Sequence, residues 1–305
     1  MKIIFMGTPD FAVASLKALT EEGFDIAGVI TAPDKPAGRG QKINESAVKK
    51  YALEQGFKIL QPVKLKDPQF LDELRALNAD LQVIVAFRML PEAVWNMPSR
   101  GTINLHASLL PQYRGAAPIN RAIMNGEKES GVTTFFLKQE IDTGDILFSE
   151  KVEINDDDTA GDLHDKLMKA GAKLLVKTVR AIEHNEYREI PQPADTGDLK
   201  SAPKIYKEDC EIDWSQPVEK VYNLIRGLSP HPGAFTFLQG RSLKIFHSEM
   251  ERADPGTQPG SYLTDNKKYL KFACRDGFIS VKEIQMEGKK RMNVEDFLRG
   301  INLER

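Results

Sequence analysis

The 305-residue chain holds only two cysteines, Cys210 and Cys274. They lie far apart and belong to no Cys/His cluster with metal-ligand spacing, so neither a disulfide framework nor a zinc module is indicated. A cytoplasmic, reducing location is the natural expectation. Long apolar runs are missing too: no stretch approaches the roughly 20 residues of a membrane span. The opening MKIIF reads as a strand rather than a signal peptide, because the apolar run is short and Asp10 follows at once. Neither sign of charge dominates. The formal net charge of -2 argues against a bulk polycation without excluding a local basic face. From Lys200 onward 18 Lys+Arg face 15 Asp+Glu, a bias in the direction of a nucleic-acid contact but too small to carry one. There is no internal repeat.

The composition is that of a soluble globular protein, 41% hydrophobic and 28% charged. The length suits one large domain or two ordinary ones. Residues 2–6 form a short apolar run expected to be a buried parallel strand. A helical pattern through Phe11, Leu16 and Leu19 ends at Gly23, and 25–31 reads as a second strand, which is βαβ organisation. The first turn carries one glycine, Gly7, so the Gly-x-Gly-x-x-Gly dinucleotide fingerprint is absent and NAD binding is not expected.

Residues 32–42, APDKPAGRGQK, read as a loop by their prolines and glycines. It is either a solvated basic loop or a grip for phosphates, with Arg39 between two glycines. Helices are expected over 45–55, 68–77, 117–125, 159–184 (with Thr159 as N-cap) and 218–227, and strands over 58–60, 81–87, 132–137 and 146–154. Arg88 follows the apolar 81–87 strand and is either a surface arginine or a residue of the ligand side of the sheet. The stretch 191–203, PQPADTGDLKSAP, is compositionally a linker. Beyond it five short alternating runs, at 234–238, 242–247, 260–263, 268–274 and 278–286, fit a small barrel or sandwich. The expected division is 1–190, a linker over 191–205, and 206–305.

The chemistry concentrates in 101–115, GTINLHASLLPQYRG. Residues 102–106 alternate as a strand, so Ile103 and Leu105 share one face and Asn104 and His106 the other. Pro111 and Gly115 stop the strand and start a loop, and ligands of open α/β sheets bind beyond the carboxyl ends of strands. An ordinary strand with two polar residues fits the spacing as well. Asp142 and Gly144 together read either as a turn or as a carboxylate brought over the sheet end near the imidazole. Asn, His and Asp without an evident Ser or Cys nucleophile suit acyl transfer to an amine of the substrate. The amide and imidazolium N–H groups would stabilise the oxyanion, and the carboxylate would help remove the amine's proton.

The spaced elements Asn104-x-His106, Ser108-Leu109-Leu110-Pro111-x-x-Arg114-Gly115 and Asp142-x-Gly144 resemble the folate-dependent formyltransferases. The resemblance covers nearly the whole chain and is strongest to the members that act on initiator methionyl-tRNA. It includes FMGTPDFA at 5–12, APDKPAGRG at 32–40, Lys204-Ile205, Ile212-Asp213-Trp214, IRGLSPHPGA at 225–234 and GKKRM at 288–292. The resemblance implies an α/β fold class: a Rossmann-like parallel-sheet formyltransferase domain followed by a small OB-like β-barrel domain that helps hold tRNA. It implies 10-formyltetrahydrofolate as formyl donor and co-substrate; a monomer is the default expectation, with no membrane contact and, since no metal ligands cluster, no metal. Carried over residue by residue, Asn104 and His106 polarise the formyl oxygen and protonate the leaving folate nitrogen. Asp142 orders water and assists proton removal. Ser108, Leu109, Leu110 and Pro111 contact the folate, and Arg39 reaches the tRNA acceptor stem. The sequence departs from many members at Arg88, where they have glycine. Arginine there resembles N-formyltransferases of amino-sugar nucleotides, the alternative acceptor. A silent RNA-binding module is disfavoured by the intact Asn104, His106 and Asp142.

Overall fold

A computed structural model describes residues 1–37, 42–193, 197, 199–301 and 303. The chain begins β1 (Lys2–Gly7), α1 (Asp10–Glu21), β2 (Asp25–Ile30), β3 (Lys35–Ala37), β4 (Lys42–Asn44), α2 (Ala47–Glu54), β5 (Ile59–Leu60), α3 (Pro68–Ala76) and β6 (Leu81–Val85). It continues through α4 (Glu92–Trp95), β7 (Thr102–His106), β8 (Arg114–Gly115), α5 (Pro118–Met124), β9 (Glu129–Phe136), β10 (Ile146–Glu153) and α6 (Ala160–His184). After β11 (Ser201–Ala202) come α7 (Val218–Gly227), β12 (Ala234–Leu238), β13 (Arg241–Arg252), β14 (Tyr262–Thr264), β15 (Leu270–Ala273), β16 (Gly277–Met286), β17 (Met292–Asn293) and α8 (Val294–Arg299). Two compact units interleave in sequence. The first is Met1–Gly115, Ser130–Val152 and His164–Ser201; the second is Ala116–Glu129, Glu153–Leu163 and Ala202–Arg305.

The first unit is organised on a seven-stranded sheet of order β10-β9-β7-β6-β1-β2-β5. The run from β5 through β2, β1 and β6 to β7 is parallel throughout. Its Rossmann-like character ends at β9, which lies antiparallel to β7. β1 and β6 sit in the middle, and Ile3 to Met6 and Leu81 to Val85 are buried on both faces, which is why their sequences are apolar, Gln82 apart, rather than alternating. Local signals fix the helices beside them. The Ser46 Oγ accepts from Lys49 N at 3.0 Å and opens α2; Asp67 accepts from Gln69 N at 3.0 Å ahead of Pro68 and opens α3.

The basic stretch 32–42 departs from a plain loop. Its ends form a ribbon in which β3 and β4 pair antiparallel, Lys35 opposite Asn44. At its base Asp34 binds the Lys49 ammonium and accepts from Gln61 Nε2 at 2.9 Å. The lysine and the glutamine, in that order, hold the Asp34 carboxyl below the usual carboxylate range. Arg39 lies outside the described residues.

The second unit carries an antiparallel sheet of order β12-β13-β16-β15-β14, with β17 paired to β16. β13 bends through two register shifts, between Ile245 and His247 and between His247 and Ser248. Val218, Val221 and Ile225 on one face of α7 share a core with Ile245, Phe272 and Ile284. Trp214 stacks on Phe272 at 4.7 Å and donates its indole N–H to Thr236 Oγ1 at 2.9 Å. Arg226 is buried, with Nε on Asn223 Oδ1 at 2.8 Å and a terminal N–H on the Asp158 carbonyl at 2.9 Å.

Candidate active site

β7 delivers Asn104 and His106 to the carboxyl end of the parallel run, at the sheet position where β9 turns antiparallel. His106 is buried, and its Nε2 lies 2.9 Å from the Tyr113 carbonyl oxygen. A carbonyl only accepts, so Nε2 carries a proton and the second nitrogen, Nδ1, faces the other way. It faces Asp142, whose Oδ2 is 3.9 Å distant. Asn104 is half-buried, and among the described residues its amide has no hydrogen-bond partner. An amide and the second imidazole nitrogen thus stand side by side, and the buried ring is fixed in orientation from behind.

Asp142 is brought back over the strand end by the turn between β9 and β10. It stands in the left-handed region with φ 54, a conformation that costs a non-glycine residue about 1 kcal/mol and persists only where neighbours hold it. Its Oδ2 accepts from Gly115 N at 3.0 Å. Its own carbonyl and that of Gly144 accept from Gln192 Nε2 at 2.9 and 2.7 Å. The glycine of the Asp-x-Gly motif has a steric reason: a Cβ at Gly144 would lie 1.6 Å from the Phe136 carbonyl oxygen.

The loop 107–115 is shaped by Thr133, which sits across from His106 in the β7–β9 register. The Thr133 hydroxyl donates to the Ser108 carbonyl at 2.7 Å and accepts from Leu110 N at 3.1 Å. Its one proton being used, the Ser149 hydroxyl at 3.2 Å is the donor in their pair. Ser108 Oγ donates inward to the Gln112 carbonyl at 2.6 Å, and the Leu110-Pro111 bond is cis. Leu109 packs over Gly131, where a Cβ would come within 2.4 Å of Leu109 Cδ2. Arg88 is committed elsewhere: its guanidinium donates to the carbonyls of Val63, at 3.0 Å, and Pro62.

The geometry therefore brings Asn104, His106 and Asp142 together beside the 108–111 loop. Tyr113, Thr133 and Gln192 were not singled out by sequence reasoning. Thr133 could have been found from strand register; Gln192 carries no local signal. Among the described residues no three His, Cys, Asp or Glu side chains converge on a metal-sized site, and no helix is long and apolar enough to cross a membrane.

Two family models match the chain, formyl transferase over residues 1–179 and formyl transferase C-terminal domain over residues 204–302. The methionyl-tRNA formyltransferase of Bacteroides fragilis is 54% identical over 310 residues, covering 99% of this chain and 96% of that one. The chain belongs to the methionyl-tRNA formyltransferase family. Solved structures of formyltransferases share its fold. An N-formyltransferase from Helicobacter canadensis, in complex with folinic acid and dTDP-3-aminofucose, superposes with a TM-score of 0.69 at 22% identity over 96% of this chain and 100% of that one. Methionyl-tRNA formyltransferase from Clostridium thermocellum gives 0.57 at 18% identity over 82% and 94%. At such identities these likenesses speak for the formyltransferase fold alone. They agree with a Rossmann-like first unit and an antiparallel second one.

Proposed function

We propose that the chain transfers the formyl group of 10-formyltetrahydrofolate to the free amine of initiator methionyl-tRNA, giving N-formylmethionyl-tRNA in the cytoplasm. The observation that carries this reading is the full-length identity to methionyl-tRNA formyltransferases, in a chain whose Asn104, His106 and Asp142 converge without a nucleophile of their own. The substrate amine attacks the formyl carbon. A tetrahedral oxyanion forms, and the Asn104 amide and the Nδ1–H of a protonated His106 stabilise it. As the carbon–nitrogen bond to folate breaks, Nδ1 gives its proton to the leaving nitrogen. Asp142, through an intervening water, takes the proton that the amine loses. One proton leaves the amine and one reaches the folate, so the transfer is balanced.

Ser108, Leu109, Leu110 and Pro111 would form the folate-side wall. The Ser108 hydroxyl is turned inward to Gln112, so the loop offers backbone and shape rather than that hydroxyl. Arg39 would meet the acceptor stem as a phosphate contact. An amino-sugar nucleotide acceptor is the second reading, and Arg88 was its motive. With the guanidinium occupied by the Pro62 and Val63 carbonyls, that motive weakens. Replacing His106 or Asp142 by Ala should lower turnover at least about 100-fold while leaving the melting cooperative. Near-normal turnover in either variant would remove the site assignment. Arg39→Ala should weaken use of methionyl-tRNA and flatten its dependence on salt. Unchanged kinetics across salt would count against the Arg39 contact.

A further inference from the structure

One side chain from the stretch that composition marks as linker reaches the candidate catalytic carboxylate. The Gln192 amide is half-buried and fully engaged. Its Nε2 donates to the carbonyls of Asp142 and Gly144, and its Oε1 accepts from Arg114 Nε at 3.0 Å and from a terminal Arg114 nitrogen at 2.6 Å. The orientation of the amide is unambiguous. Carbonyls only accept and a guanidinium only donates, so the two sides cannot be exchanged. The ring closes through the next residue, because Gly115, adjacent to Arg114, gives its N–H to Asp142 Oδ2 at 3.0 Å. Asp142 is thereby gripped twice, by main chain through Gln192 and by side chain through Gly115, in a left-handed conformation it would not keep unaided.

We propose that Gln192 is a positioning residue for formyl transfer, holding the Asp142 turn so that the carboxylate stays in register with His106. The inference rests on the reading of Asp142 as the proton acceptor. Few other side chains fit the position. Glutamate matches the size and would suit Arg114, but it turns an acceptor oxygen toward two carbonyls. Lysine could donate to the carbonyls but would set its charge against Arg114. Methionine fills the space and bonds to neither side. The spacing requirement is for a donor pair and an acceptor on one planar group, which is an amide.

The experiment compares Gln192→Glu, Gln192→Met and Asp142→Ala, with kcat and KM measured separately for the formyl donor and for methionyl-tRNA, and thermal melting as the control of fold. Gln192→Glu should lower kcat about 10- to 100-fold, the cost of displacing a catalytic group by about an ångström, with KM for both substrates within about 2-fold of wild type. Gln192→Met should do the same, and carries the test if the glutamate variant melts early. In an Asp142→Ala background, read under single-turnover conditions, Gln192→Glu should cost less than about 2-fold more, because both changes act on one group. If Asp142→Ala abolishes transfer while both Gln192 variants keep wild-type kcat, the inference is overturned and the site reading stands. A loss confined to KM, or full additivity with Asp142→Ala, also overturns it. If Asp142→Ala itself turns over normally, the reading beneath the inference fails.

Discussion

Gly144→Ala probes the Asp-x-Gly turn without touching any ionisable group. The added methyl would lie 1.6 Å from the Phe136 carbonyl oxygen and 3.0 Å from Phe135 Cδ2, against ordinary contact from 3.4 Å. A backbone carbonyl in a strand cannot swing aside like a side chain, so the turn must move by well over an ångström. That movement opens three hydrogen bonds: the two from Gln192 to Asp142 and Gly144, and the one from Phe136 N to the Asp145 carbonyl at 3.1 Å. Each contributes about 1 kcal/mol net. With residual crowding, the loss of stability comes to about 3 kcal/mol or slightly more, a fall in apparent Tm of about 5–10 °C. Asp142 moves with the turn, and kcat should fall about 100-fold. The assay pairs initial rates at saturating folate and methionyl-tRNA with circular-dichroism melting. Gly23→Ala is the control: it is strained at φ 79 with nothing within 4 Å, so it should cost about 1 kcal/mol and leave kcat unchanged. A Gly144→Ala protein with wild-type Tm and kcat would refute both the packing argument and the placement of Asp142 in the chemistry.

Asn104→Leu keeps the size of the side chain and removes an oxyanion donor, so kcat should fall about 100- to 1,000-fold with little change in Tm; equal rates would exclude the amide from catalysis. Lys49→Met should lower Tm at neutral pH by releasing Asp34. Because the folded Asp34 carboxyl titrates below its unfolded value, that contribution is present above about pH 4 and disappears as the pH falls through the folded value, so the gap to wild type should close in acid. A gap independent of pH would show that the ion pair contributes nothing. Burial pushes the Cys274 thiol up to about 12 and raises that of Cys210, so neither should react with a disulfide reagent at pH 8 until the chain is denatured, when two thiols should appear.

Periodicity and breakers made much of the fold legible. The expected helix 218–227 coincides with α7, and β7 spans 102–106 as its alternation requires. The failures have physical causes. β13 runs on to Arg252, where alternation suggested an end near 247, because its two bulges shift which face each side chain takes. The ends of 32–42 pair as a ribbon although proline and glycine marked the whole stretch as loop. Within the candidate site, Asn104 and His106 were readable from strand spacing. Asp142 was ambiguous because the residue is at once a turn former and a carboxylate, and in the structure it is both. Gln192 was invisible: its environment is linker-like, and its partners are 48 to 78 positions away.

The acceptor assigned to this site is the amine of methionyl-tRNA. That assignment is tested most directly by giving the protein 10-formyltetrahydrofolate and measuring formyl transfer, side by side, to methionyl-tRNA and to an amino-sugar nucleotide. Methionyl-tRNA should be formylated rapidly, with release of tetrahydrofolate in equal amount, and the sugar should not react above background. Transfer to the sugar with none to methionyl-tRNA would contradict it.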